Sequence, residues 1–319
     1  MARFIKLAVP ILSGLIVLSC ASQAKKPLVD PFPLRFPLVE AGTLEIEGHV
    51  AGQPRARDGI VYYATREGDL TAVVVPSRSI LWRVGVDHPI TGGPELRDGK
   101  IFVRDGTGLV HVLDLKGRIL GEEMTGESAG LTVGDKDGRR YGIKADGGLE
   151  ALDGDGRQLW EFAAQGTIVA EPAVRDGRVY FGTADRHFYC LNASTGKTIW
   201  SRRLQGAALH PAVVRDGIVA VAASNSVVYR LSAKGGSILS WESIPSRVVY
   251  EPASAGSLTL ITSAAPTLIA LDLRTGKRAG QHEASGLIAA GAVWSPPFVV
   301  LFEESTASGR QRIVFLRSR

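Results

Sequence analysis

Short apolar runs separated by turn-forming residues fill most of the chain, and no sustained helical period follows residue 20. The clearest stretch runs from Glu171 to Gly206, EPAVRDGRVYFGTADRHFYCLNASTGKTIWSRRLQG. Three apolar runs and a fourth ending in Trp200 follow one another; Asp176-Gly177 joins the first two and residues 192–196 join the last two. Asp-Gly between β-rich runs favours a type I′ turn, whose two central residues need positive φ. The stretch therefore predicts a four-stranded antiparallel meander.

The same pattern returns along the chain. Asp-Gly stands at Asp58-Gly59, Asp98-Gly99, Asp137-Gly138, Asp176-Gly177 and Asp216-Gly217, in steps of 40, 39, 39 and 40 residues. Leu before a small polar residue recurs at Leu113, Leu152, Leu191, Leu231 and Leu271, in steps of 39, 39, 40 and 40. Trp recurs at Trp82, Trp160, Trp200 and Trp241, with Gly121 standing in the one gap. Three markers in one phase, with four strands per unit, predict an all-β fold: a single β-propeller of four-stranded antiparallel blades. A lone meander has no core, so its two faces must be buried against neighbouring blades. Trp near the end of the fourth strand supplies a large flat surface for that contact, a structural role and not a cofactor box.

The expected blades cover residues 51–86, 91–125 (lacking the Trp), 130–165, 171–206, 209–245 and 249–284. In the sixth, Ala255-Gly256 replaces Asp-Gly. A last unit starts near Leu287 and reaches only three strands, so Leu44 to Val50 is expected to supply the fourth and close the ring. That gives seven blades, or eight if Pro33 to Glu40 adds a further unit. The ring is one domain, residues 43–319, because half a ring would leave blade faces bare.

The N-terminus reads differently. Arg3 and Lys6 precede an apolar run from Leu7 to Leu18, the layout of a secretory signal over residues 1–19, and the run is too short to favour a spanning helix. Val17-Leu18-Ser19-Cys20 resembles the bacterial lipobox, which implies acylation at Cys20 and tethering by lipid. Ala21 after the Cys implies sorting to the outer membrane, hence a lipid-anchored protein on its periplasmic face. Residues 20–42 hold Pro27, Pro31, Pro33 and Pro37 and read as a tether. With Cys20 acylated, Cys190 is the one thiol left, expected to be buried and inert on a strand, with no disulfide.

The run DGRVYFGTADRHFYCLNASTGKTIW resembles the repeat of the PQQ-like (quinoprotein-type) propellers, and the likeness covers roughly residues 45 to 316. With the lipobox, the chain resembles the BamB family, lipoprotein subunits of the machine that inserts β-barrels into the bacterial outer membrane. That resemblance implies a non-catalytic scaffold that docks on a periplasmic domain of the barrel protein and helps guide unfolded clients. Members usually have eight blades and a longer chain. The repeat family also includes dehydrogenases that hold PQQ and Ca²⁺ over the axis. The alternatives are therefore a PQQ- and Ca-dependent oxidoreductase, or a ligand-binding envelope lipoprotein unrelated to assembly.

Candidate chemistry does little to favour an enzyme. There is no adjacent Cys pair, no G-x-S-x-G and no nucleophile–base constellation. Residues 135–138 and 153–156 look like the start of a calcium loop but lack its further ligands and closing Glu, and both fall at expected hairpin turns. The His residues at 49, 88, 111, 187, 210 and 282 show no metal-ligand spacing; His88 and His210 each precede a Pro in an interblade loop. Neither a cofactor nor a metal nor a catalytic residue is expected. The candidate partner-binding feature is a basic turn face, Arg57, Arg97, Lys136, Arg175 and Arg215, joined on the same side by Lys116, Arg157, Lys197, Lys234 and Lys277. Each of the first five is followed by Asp. The formal charge of +5 drops to +3 without Arg3 and Lys6 and, with no aromatic–basic cluster, does not favour nucleic acid.

Overall fold

The computed structural model describes residues 32–124 and 128–319. The signal and the lipid-attachment candidate Cys20 lie outside the described residues. From Phe32 onward the chain forms one unit of seven four-stranded antiparallel sheets. Blades 1 to 6 cover residues 50–85, 95–124, 128–162, 173–203, 213–243 and 253–283. Blade 7 takes three strands from residues 287–318 and its outer strand from Leu38–Glu45, which pairs antiparallel with Gln311–Ser318. The result is a seven-bladed β-propeller closed by its two ends.

Asp58, Asp98, Asp176 and Asp216 have φ of 52°, 50°, 49° and 49°, each followed by a positive-φ Gly, as the two-residue hairpins require. Three local expectations shift. The closing strand is Leu38–Glu45, not Leu44 to Val50, and Val50 instead opens blade 1; residues 38–42, assigned above to the tether, lie in the sheet. A bulge between Glu40 and Gly42 breaks the alternation by which that strand is recognised. In blade 6 the turn is Gly256-Ser257, one residue later than expected, with Gly256 at φ 60°. In blade 3 Asp137-Gly138 belongs to a wider turn, in which Asp135 accepts hydrogen bonds from the backbone N–H of Asp137 (2.9 Å) and Arg139 (3.0 Å).

Packing between blades explains the Trp marker. Trp82, Trp160 and Trp200 face the following blade and donate through Nε1 to the carbonyls of Leu115 (3.1 Å), Ala193 (3.0 Å) and Ala233 (2.9 Å). Each indole lies over a left-handed glycine of the next blade, Gly117, Gly196 or Gly236, where any Cβ would strike the ring. In register, the same slot holds Gly121 in blade 2, Ser240 in blade 5 and Gly280 in blade 6. Phe36 fills the space above Gly280, so the N-terminal segment serves as the missing aromatic wedge. Arg230 fills the slot beside Ser240, its Nη2 donating to Arg274 O at 2.7 Å in place of an indole N–H.

Candidate functional site

The first strands of the blades line an axial channel. Near blade 1, Arg55 on Val50–Arg57 reaches across it to Glu251 at 2.8 Å and to Glu171 at 3.6 Å. One side chain thus ties blade 1 to blades 6 and 4. Glu171 and Glu251 each precede a Pro that leads into the first strand of its blade, which favours an extended backbone at both carboxylates. Burial pushes the Glu171 carboxyl up to about 7, Arg55 opposing and Glu251 and Glu95 reinforcing the rise. Burial also raises Glu95, against the pull of Arg97, Arg55 and Arg104. The channel opens into a cavity of about 810 Å³ whose wall includes Arg97, Arg104 and Arg140 beside Phe102 and Val110. Among the described residues no cluster of His, Cys, Asp and Glu has the geometry to hold a metal ion.

The basic turn residues are distributed as the repeat requires, at the ends of first strands. Arg57 and Arg215 each lie 3.5 Å from their own following Asp, and Lys136 lies 2.7 Å from Asp137. The Arg97 guanidinium stacks over the Phe102 ring at 3.8 Å, and Arg175 is exposed. Much of the positive charge on this face is therefore met locally. His88 is exposed, while His210 is half-buried against Val248 O at 3.3 Å, and burial lowers its pKa. Cys190 is buried inside the core between blades 4 and 5, where burial pushes its thiol up.

Three histidines sit instead beside carboxylates: His49 with Glu67 (2.8 Å), His187 with Asp185 (2.7 Å) and His111 with Asp105 (3.0 Å). Asp105 is fully buried. Burial pushes its carboxyl up, but hydrogen bonds from Thr107, His111 and Leu109 outweigh that and hold it at about 2. This knot ties the turn between the second and third strands of blade 2.

Trp241 departs from the structural role expected of it. It is 64% exposed, whereas Trp160 and Trp200 are 9% and 8% exposed. On the outer strand Ile238–Ser243 it pairs with Tyr229, one residue beyond the slot that Ser240 occupies, so its ring faces out on the side toward blade 4. The other blades place Arg83, Glu122, Glu161, Ser201 and Gln281 at that register. Ile238 and Leu239 on the same strand are also exposed. An aromatic and two aliphatic side chains thus lie along an unpaired sheet edge. The spacing carried the signal: Trp241 follows Trp200 by 41 residues, one more than the repeat, and odd steps reverse a strand face. Likewise Glu171-Pro172 and Glu251-Pro252 recur two periods apart and announce the axial carboxylates.

Comparison with known proteins agrees with the propeller fold. The family profile described as "Outer membrane protein assembly factor BamB" matches residues 39–135 and 145–286. The chain belongs to the BamB family. A solved BamB from Moraxella catarrhalis matches 88% of this chain and all of its own, at 16% identity and a TM-score of 0.58. The computationally designed Ika8 protein matches 85% of this chain and 98% of its own, at 17% identity and a TM-score of 0.64. At such identities these structures speak to the fold alone. No curated protein matches the sequence. This member of the family keeps the repeat and carries Trp241 outside the interblade slot.

Proposed function

We propose that the protein is a non-catalytic scaffold, anchored through lipid at Cys20 to the periplasmic face of the outer membrane, that binds a protein subunit of the outer-membrane assembly apparatus. Membership of the BamB family and the lipobox-like Val17 to Cys20 support the setting. The observation that carries the binding role is Trp241, a large aromatic exposed on an open strand edge in a fold that buries Trp160 and Trp200. Tryptophan at such a site is the side chain most often decisive in protein recognition, and an unpaired edge offers backbone donors and acceptors to a partner strand. No cofactor takes part in this reading.

The test is capture of partners by the tagged full chain extracted from membranes. A barrel subunit of the assembly apparatus is expected to co-purify with the wild type and to be lost or much reduced with Trp241→Ser. Cys20→Ser is expected to move the protein from the membrane to the soluble fraction. Equal capture by the Trp241 variant would overturn the assignment of the surface. Stoichiometric uptake of PQQ with Ca²⁺, with dehydrogenase activity, would overturn the scaffold reading itself.

A further inference from the structure

Among the described residues, six of the seven contacts between neighbouring blades are sealed by an apolar cluster that both blades share. The contact between blades 2 and 3 differs. Phe102, Val110 and Val112 of blade 2 form a cluster that, among the described residues, has no member from blade 3. Two substitutions in the repeat produce this. At the Trp slot of blade 2 stands Gly121, and a Cβ there would meet nothing within 4 Å. On the facing strand of blade 3, the position held elsewhere by Val61, Ile101, Val179, Val219, Thr259 and Val299, each at most 1% exposed, is Arg140.

The Arg140 guanidinium lies over Gly156, 3.3 Å from where a Cβ would be, the place an indole takes over Gly117, Gly196 and Gly236. Both Arg140 and Arg230 have a buried, unbonded Nε, but Arg230 is bonded through its other nitrogens to Ser240 and to Arg274 O, whereas Arg140 makes no such bond and among the described residues no carboxylate pairs with it. A partly buried guanidinium left without an acceptor is unfavourable unless something negative completes it. The 810 Å³ cavity reaches this seam and continues to the axis, a size suited to a small ligand. Among the described residues five guanidiniums and four carboxylates line it, and burial pushes the Glu171 carboxyl up to about 7, so the balance of these groups is positive.

We propose that the seam between blades 2 and 3 binds a carboxylate carried on a flat apolar body. Arg140 takes the carboxylate through its planar fork, and the body rests on Val110 and on the part of Phe102 that Arg97 leaves open, in the volume that indole rings fill between other blades. Such a group is supplied either by a free aryl acid or by an acidic residue beside an aromatic one in a peptide. The seat is separate from the Trp241 surface and does not depend on the scaffold reading.

The experiment is calorimetric titration of the full chain with phenylpropanoate and with indolepropionate. Saturable binding at one site is expected, at least tenfold weaker for phenylpropanol, which lacks the carboxylate. Arg140→Gln is expected to weaken binding at least tenfold, while Arg175→Gln on the exposed turn face leaves it unchanged. The double variant Gly121→Trp, Arg140→Val rebuilds the packing of the other blades and is expected to abolish binding with an unaltered circular dichroism spectrum. A short peptide with Asp beside Phe that binds tighter than the free acids identifies a peptide as the source; tighter binding of a free acid identifies a small molecule. Absence of saturable binding by every probe, or equal binding by the wild type and both Arg140 variants, would overturn the proposal.

Discussion

Trp241 stands opposite Tyr229 in the register in which Ser201 stands opposite Tyr189. A one-residue displacement along the outer strand of blade 5 converts an interblade wedge into a surface side chain. Because the ring already lies in solvent, Trp241→Ser is expected to change folding stability by less than about 0.5 kcal/mol. Trp200→Ala removes an indole that is 8% exposed and hydrogen-bonded to the next blade, and is expected to cost about 3–5 kcal/mol. Urea denaturation of the two variants checks the contrast, and similar losses in both would contradict the register described.

Glu171 supplies a pH dependence. Its folded pKa, about 7, lies above the ordinary carboxylate value, so the folded state holds the proton more tightly than the unfolded chain. Stability from this group is present at low pH and is lost as pH rises through about 7. Glu171→Gln is therefore expected to be near neutral at pH about 5 and stabilising by about 1–3 kcal/mol at pH about 8. Unfolding curves at the two pH values measure it. A variant less stable than the wild type at the higher pH would contradict the assignment.

Asp105 behaves in the opposite sense. Held at about 2 by its hydrogen bonds, it contributes stability above the ordinary carboxylate range that is lost as pH falls through about 2. Asp105→Ala strips the buried turn and His111 of their acceptor and is expected to cost about 3–5 kcal/mol at neutral pH. The deficit should narrow in acid, as thermal unfolding between neutrality and pH about 2 will register.

Phe36 above Gly280 predicts that the N-terminal segment is energetically part of the ring. Phe36→Ala is expected to lower stability by about 1–2 kcal/mol through lost burial. Amide exchange should quicken first in the outer strand Arg278–Glu283 of blade 6 and in Leu38–Glu45. Unchanged exchange in both strands would show that the aromatic ring is dispensable.

The propeller was legible because its turns and wedges obey strict local chemistry. Asp-Gly at Asp58, Asp98, Asp176 and Asp216 reports a backbone with positive φ, and Trp82, Trp160 and Trp200 report a face, so phase and period survive in the letters. Features that depend on partners distant in sequence were harder to see. The closing strand starts six residues earlier than its apolar pattern predicts, because the bulge between Glu40 and Gly42 disturbs its alternation and its partner strand is Gln311–Ser318. Residue type alone places Trp241 with the buried wedges, and only the parity of its spacing sets it apart. Arg139 and Arg140 look alike in the sequence but point to opposite faces: Arg139 bonds Ser194 of blade 4, and Arg140 faces blade 2. The bridge from Arg55 to Glu171 and Glu251 joins residues 116 and 196 apart, which no window along the sequence connects.

The pairing of Leu38–Glu45 with Gln311–Ser318 also sets the order of events in biogenesis. The clasp joins two segments with blades 1 to 6 made between them, so the toroid stays open until Gln311–Ser318 has emerged.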